Sequence, residues 1–275
     1  MKNIMNYLLI TLLIIFPVAY ASEEDNFTLS SIDCKSEGQN SPYRYIAHGG
    51  GAIDGFIYVN SIEGMELAYS NGYKMFEVDL LITSDGKLIG SHDWSDWRSQ
   101  TKTNIDHPDF NTVEKTLLYG KYHAITMNYL NSFFLKHRDA ILVTDKITDY
   151  TLLMNSFLYP NRLIAEVFNE KDLKRAIDAG ISYPILSFVH SYDEVMSVKK
   201  KYDVKFIALH SATIIPKKES ISLLKDEGVC VYVYTSNEKT FLNEYIPSKI
   251  YGVYTDFYAP KSNTFNCVGK KCKTY

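Results

Sequence analysis

The sequence predicts an α/β fold, closed into an eight-stranded (β/α)8 barrel of the TIM type, with a β-hairpin after strand two and one long loop insertion. Three observations carry that expectation. Short apolar runs alternate with helix-like segments through most of the chain, which is the pattern of parallel strands joined by crossover helices. The strand-like runs number eight, at 45–48, 75–80, 141–145, 162–168, 183–189, 205–210, 229–234 and 250–255. The 275-residue chain, less a leader, is also close to the usual size of such a barrel, roughly 250 residues. An open doubly wound sheet is the competing architecture, and it lacks the Gly-x-Gly-x-x-Gly turn expected after its first strand.

In chain order, Lys2 precedes an apolar run over 7–16, followed by Pro17 and the small-x-small site Ala19-Tyr20-Ala21. That is the pattern of a cleavable secretory signal over 1–21, and the run is short for a stable transmembrane anchor. A secreted or periplasmic location follows as an expectation. A polar leader is expected over 22–41, the barrel over 42–260 and a C-terminal tail over 261–275. Helical patterns fall at 61–70, 170–179, 191–201, 217–226 and 238–245. After the second strand, Ser84-Asp85-Gly86-Lys87 separates two β-prone runs, and Asp-Gly there signals a hairpin. A two-residue loop at Asp85-Gly86 would set Asp79 opposite His92. The stretch 93–126 shows little periodicity and carries Trp94, Trp97 and His107. A loop of that length beginning beside His92 is expected to cap the site, with an ordinary surface excursion as the alternative.

Composition narrows the function. The chain is 46% hydrophobic and 22% charged with a net charge of −3, enough to bury a core and without the concentrated basic face that a nucleic-acid partner requires. Export permits disulfides among the four cysteines. Cys230, inside the apolar run 229–233, is expected to be a buried free thiol, leaving at least one disulfide among Cys34, Cys267 and Cys272. No pair has the C-x-x-C spacing of a zinc knuckle or thioredoxin site. His48-Gly49-Gly50-Gly51 imitates a lipase oxyanion loop, but the chain has no Gly-x-Ser-x-Gly elbow, which excludes that serine-hydrolase class.

In an α/β barrel the reactive groups sit where strands end. The polar residues there are His48, Glu77, Asp79, His92, Asp145, Glu166, His190, His210, Tyr234, Asn237 and Asp256. Glu77 and Asp79 are two apart and so share one strand face, inside the barrel. Their mutual repulsion in a low-dielectric site is relieved by a cation. Asp145 completes an all-oxygen set of the kind that Mg²⁺ or Ca²⁺ prefers. His48 and His92, flanking the same place, supply the acid and base that phosphodiester cleavage needs.

Ile46-Ala47-His48-Gly49-Gly50, Asn60-Ser61, Phe76-Glu77-Val78-Asp79, Thr83-Ser84-Asp85-Gly86 and Ser91-His92-Asp93 follow one another in an order that resembles the glycerophosphodiester phosphodiesterase family. That family is related to phosphatidylinositol-specific phospholipases C. Its pattern is His-Arg-Gly, Glu-Asn-Thr, Glu-x-Asp, Thr-x-Asp-Gly and His-Asp. Val233-Tyr234-Thr235-Ser236-Asn237 and Gly252-Val253-Tyr254-Thr255-Asp256 are similar to its later Trp-Thr-x-Asn and Gly-x-x-Thr-Asp. The resemblance implies a metal-dependent barrel phosphodiesterase. In it His48 and His92 are general acid and base, and Glu77, Asp79 and Asp145 hold a divalent cation, Mg²⁺ or Ca²⁺.

The substrate implied is a small phosphodiester or a lipid or glycan headgroup. Asn60, Lys146, Glu166, His190, His210 and Tyr234 are the candidate substrate-binding residues. Two positions depart together: His48-Gly49 stands for His-Arg, and Val59-Asn60-Ser61 for Glu-Asn-Thr, so a charged pair is missing from the substrate end. Lys146 comes one place earlier than the family's phosphate-binding lysine, which on a continuing strand would turn it away from Asp145. The competing function is a non-catalytic barrel at the cell envelope that binds a phosphorylated glycan or lipid headgroup without needing both histidines.

Overall fold

The computed structural model describes residues 29–35, 41–246 and 248–265. The expected signal segment, Cys267 and Cys272 lie outside the described residues. Eight parallel strands form the barrel: β1 (Tyr45–Ala47), β2 (Met75–Ile82), β4 (Ile141–Asp145), β5 (Leu163–Val167), β6 (Pro184–Leu186), β7 (Phe206–His210), β8 (Cys230–Tyr234) and β9 (Gly252–Thr255). Each pairs with the next, and β1 pairs with both β2 and β9, which closes the ring. An antiparallel strand, β3 (Leu88–Gly90), is added to β2. The predicted fold is therefore the observed one; β4 matches its apolar run, β2 runs two residues further, and the other six strands are one to four residues shorter.

Strand alternation sorts the core into two layers. Ile46, Met75, Ile141, Val143, Ile164, Ile185 and Phe206 fill the barrel interior. Ala47, Phe76, Val78, Leu142, Ala165 and Ile207 face outward against the helices. The same period aims Glu77, Asp79, Asp145 and Glu166 inward, at the ends of their strands. Helices α1 (Ile62–Ser70), α2 (Trp94–Thr101), α3 (Phe110–Lys115), α4 (Met127–Lys136), α5 (Tyr150–Ser156), α6 (Glu170–Asp178), α7 (Tyr192–Lys201), α8 (Ser211–Asp226) and α9 (Lys239–Tyr245) follow in chain order. Of these, α1, α6 and α7 begin on Ser61, Asn169 and Ser191, whose side chains accept N–H bonds from the first turn.

Four expectations are corrected. The barrel floor is plugged by Leu29, Ile32 and Cys34, all buried, and Cys34 forms a disulfide with Cys230. Cys230 is thus not a free thiol. An apolar strand interior says nothing about which distant segment reaches it, and 196 residues separate the partners. The hairpin is shifted by one place: Leu80 pairs with Gly90 and Ile82 with Leu88, so Asp79 faces Ser91 rather than His92. The turn is the reason. Gly86 N–H donates to the Thr83 carbonyl and Thr83 N–H to Lys87, and Gly86 has a φ of 78°. This makes a three-residue loop with a left-handed glycine instead of a two-residue one.

Helix α8 (Ser211–Asp226) starts six residues earlier than its pattern suggested, because Pro216 is carried inside it. The stretch after His92 is also more ordered than its weak periodicity implied. It holds α2 (Trp94–Thr101), capped by Asp93, and α3 (Phe110–Lys115), capped by Asp109. Trp97, Val113, Leu118 and Tyr122 give it a small core shared with Val59 and Ile89. This lobe leans on the β3 hairpin and on the loop after β1.

Candidate active site

Three carboxylates converge at the mouth of the barrel. Ligand atoms of Glu77, Asp79 and Asp145 lie within 4.8 Å of one another. Parallel register causes this directly, since Asp79 and Asp145 are partners across β2 and β4 and Glu77 is the next inward residue on β2. Glu77 Oε2 accepts the Gly49 N–H at 2.7 Å, whereas its Oε1 is buried without a hydrogen-bond partner. Asp79 is gripped by Asn60, whose Nδ2 donates to Oδ2 at 2.8 Å while its Oδ1 accepts the Asp79 N–H at 3.0 Å. Asn60 thereby acts as a positioning residue for the carboxylate.

Burial, followed by the neighbouring charges of Asp79 and Asp145, holds the Glu77 carboxyl well above its ordinary range. Asp79 is also raised, again chiefly by burial. On the next strand Glu166 is pushed up to about 8, by burial first and then by Asp145. Its Oε1 accepts the hydroxyl of Ser187.

The two imidazoles are placed differently. His48 leaves the end of β1 in a short 3-10 turn, and its Nδ1 lies 3.0 Å from Asp256 Oδ1. Asp256 is itself fixed at both ends, accepting from Asn237 Nδ2 at 2.7 Å and donating its N–H to Asn237 Oδ1 at 2.8 Å. This network assigns the Nδ1 proton to the Asp256 side and leaves Nε2 for chemistry. His92 Nδ1 lies 3.2 Å from Asp93 Oδ2 and 3.1 Å from Asp96 Oδ2. Tyr58 stands between the rings, with centroids 4.5 Å from His48 and 5.3 Å from His92.

Lys146 is recovered for the site by its backbone. Its φ of 64° ends the strand geometry, and Nζ comes to 3.0 Å from Asp145 Oδ2. The expected turn away from Asp145 is therefore corrected. Although burial opposes its charge, Asp145 holds the ammonium above its usual value. Tyr234 edges the same mouth, 6.4 Å from the Tyr254 ring and 5.6 Å from His210. The His210 Nδ1 accepts the Ala212 N–H and so caps α8. His190 is exposed, and its backbone joins Glu194 and Lys217. Among the described residues its ring has no bond to the carboxylate cluster.

Sequence reasoning named Asp256 only as a strand-end residue and missed its bond to His48. It missed Tyr58 and Ser187 altogether. The His48–Asp256 pair spans 208 residues, and the parallel pairing of β1 with β9 is the feature that brings them together.

Comparison with solved structures finds this fold among glycerophosphodiester phosphodiesterases. A phosphodiesterase from Oleispira antarctica, solved with the product sn-glycerol-3-phosphate, superposes with a TM-score of 0.65 at 17% identity, covering 79% of this chain and 94% of that one. A glycerophosphoryl diester phosphodiesterase from Parabacteroides distasonis gives 0.64 at 16% identity, covering 85% and 93%. The Thermotoga maritima glycerophosphodiester phosphodiesterase gives 0.62 at 17% identity, covering 80% and 96%. No protein-family model matches the chain, and no curated protein matches it in sequence. The chain thus has the glycerophosphodiester phosphodiesterase fold, over nearly the whole length of those proteins.

Proposed function

We propose that this chain is an exported, metal-dependent phosphodiester hydrolase resembling glycerophosphodiester phosphodiesterases. The observation that carries the proposal is the pair of imidazoles, His48 and His92, set about Tyr58 beside three carboxylates at the barrel mouth, two of them buried. Glu77, Asp79 and Asp145 fit a divalent cation such as Mg²⁺ or Ca²⁺. The donors are all oxygen, their repulsion needs a positive charge, and Glu77 Oε1 is a buried acceptor with no protein donor. When bound, the cation supplies positive charge to the phosphoryl oxygens as negative charge builds up on them.

The protein's own residues do the rest. Asp256 holds the His48 ring by Nδ1, so that Nε2 exchanges a proton with the substrate. His92, held by Nδ1 between Asp93 and Asp96, presents its other nitrogen likewise. One imidazole takes the proton of the attacking hydroxyl or water, and the other gives one to the departing alkoxide. Lys146 Nζ and the Tyr234 hydroxyl edge the same space and serve as phosphate contacts. By analogy with the Oleispira protein, a phosphomonoester is the expected product.

Export is supported by the leader pattern at 1–21 and by the Cys34–Cys230 disulfide, which belongs to an oxidising compartment. No helix among the described residues is long and apolar enough to cross a membrane.

The test is a panel of phosphodiesters incubated with the mature protein and Mg²⁺, Ca²⁺ or chelator, with products identified by mass. Cation-dependent release of a phosphomonoester is expected. Folded protein that releases none from any diester with either cation would overturn the proposal and favour a binding role.

A further inference from the structure

We propose that Tyr254 is a positioning residue of the cation site, its buried hydroxyl donating to the Glu77 carboxylate from beneath when the cluster holds a divalent cation. The inference rests on the metal-dependent reading above and deepens it. Tyr254 stands on β9 and faces the barrel interior together with Ile46 and Met75. Register sets the three level, because Ile46 pairs with Tyr254 on one side and with Met75 on the other. Glu77 is two places beyond Met75 on β2 and is therefore the next inward residue towards the mouth. The tyrosine thus lies one layer below the carboxylates.

Its ring is held on three sides. His48, Tyr232 and Tyr234 pack edge-on against it, with centroids 6.3, 6.4 and 6.4 Å away. The residue is 2% exposed, and its hydroxyl has no hydrogen-bond partner. Glu77 Oε1 is in the same condition. The other carboxylates of the mouth each have a donor, since Asp79 accepts from Asn60, Asp145 from the Lys146 ammonium and Glu166 from the Ser187 hydroxyl. An orphan donor and an orphan acceptor therefore occupy adjacent layers of one interior. The surrounding charge agrees with that placement: after burial, it is Glu166, Glu77 and Asp145 that hold the phenol well above its ordinary range.

A buried hydroxyl left unpaired costs stability, and such groups mark places that something else completes. A cation on the cluster does so. It holds Glu77 ionised, and a carboxylate in that form is an acceptor with lone pairs for both a metal and a hydroxyl. Hydrogen bonds around a site often close only once the site is loaded. A donor outside the ligand set fixes the orientation of the ligating group, and its loss typically weakens metal binding by about 10–100-fold.

The test titrates the mature protein with Ca²⁺ and with Mg²⁺ by calorimetry, and measures cation-free stability by urea unfolding in chelator. Tyr254→Phe keeps the ring and removes the hydroxyl. It should weaken cation binding on the order of 10–100-fold, while the cation-free midpoint stays where it is or rises, because an unpaired buried hydroxyl has gone. Tyr232→Phe is the opposing control. The Tyr232 hydroxyl donates to the Tyr43 carbonyl at 2.7 Å, so its removal should lower the cation-free midpoint and leave cation affinity unchanged. Unchanged affinity in Tyr254→Phe would overturn the inference and leave the phosphodiesterase reading in place. A cation-free Tyr254→Phe that is less stable than wild type, or does not fold, would overturn it too, since the hydroxyl would then have a partner without the cation. An equal loss of affinity in Tyr232→Phe would reduce the effect to general packing and overturn it as well. Wild type that binds neither cation would count against both the inference and the metal-dependent reading.

Discussion

Removing the Cys34–Cys230 bridge by Cys34→Ala with Cys230→Ala should destabilise the protein without changing its fold. The bridge closes a loop of 196 residues, for which the chain-entropy relation gives about 5 kcal/mol at 25 °C; removing a native disulfide commonly costs about 2–5 kcal/mol. At roughly 2–4 °C per kcal/mol for a domain of this size, the melting temperature should fall by roughly 4–20 °C. The loss should be larger than for two ordinary surface substitutions, because the bridge also anchors Leu29 and Ile32 against the barrel floor. Urea unfolding of the mature protein, followed by tryptophan fluorescence, measures the effect. Reduced wild type should reproduce the variant's curve. A variant whose unfolding midpoint matches that of the oxidised wild type would refute the reasoning, as would peptide mapping of unreduced protein that finds both thiols free.

Burial raises the carboxyls of Glu77, Asp79 and Glu166, the last to about 8. The cation-free native state therefore holds protons that the unfolded chain releases. That contribution is present below the ordinary carboxylate range and is lost as pH rises towards 8. Cation binding needs the ionised forms, so the rise in melting temperature on adding Ca²⁺ or Mg²⁺ should grow between pH 5 and 8 and vanish in Glu77→Gln. A cation response that is flat with pH would contradict the placement of these groups. Asp256→Asn should leave melting within a few degrees and lower turnover at least tenfold, since His48 loses the acceptor that fixes its tautomer; unchanged turnover would remove Asp256 from the mechanism. Gly86→Val should cost about 1–2 kcal/mol through its left-handed backbone alone, because nothing lies within 4 Å of the added Cβ. An unaltered urea midpoint would count against the three-residue turn.

Local patterns carried most of the barrel. Strands such as β4 and β7 were legible because they are apolar except at their C-terminal ends, where Thr144, Asp145 and His210 stand. Side-chain alternation put Glu77 and Asp79 on one face, and the pairing of neighbouring barrel strands brought Asp145 beside them. What was not legible depends on closure or on single backbone torsions. Cys34 and Cys230 meet only when the leader folds under the barrel, and His48 meets Asp256 only when β1 pairs with β9. The hairpin register moved by one place on the left-handed φ of Gly86. Lys146 returned to the site on its own positive φ, which strand periodicity cannot anticipate. Tyr58 lay in a loop without periodicity.

The central claim is tested most directly by the turnover of His48→Ala and His92→Ala on a diester that the wild type cleaves. Each variant should lose on the order of 10²–10⁴ in kcat, with one limb of the bell-shaped pH profile gone and cation-dependent melting retained. Full activity in both variants would contradict the account.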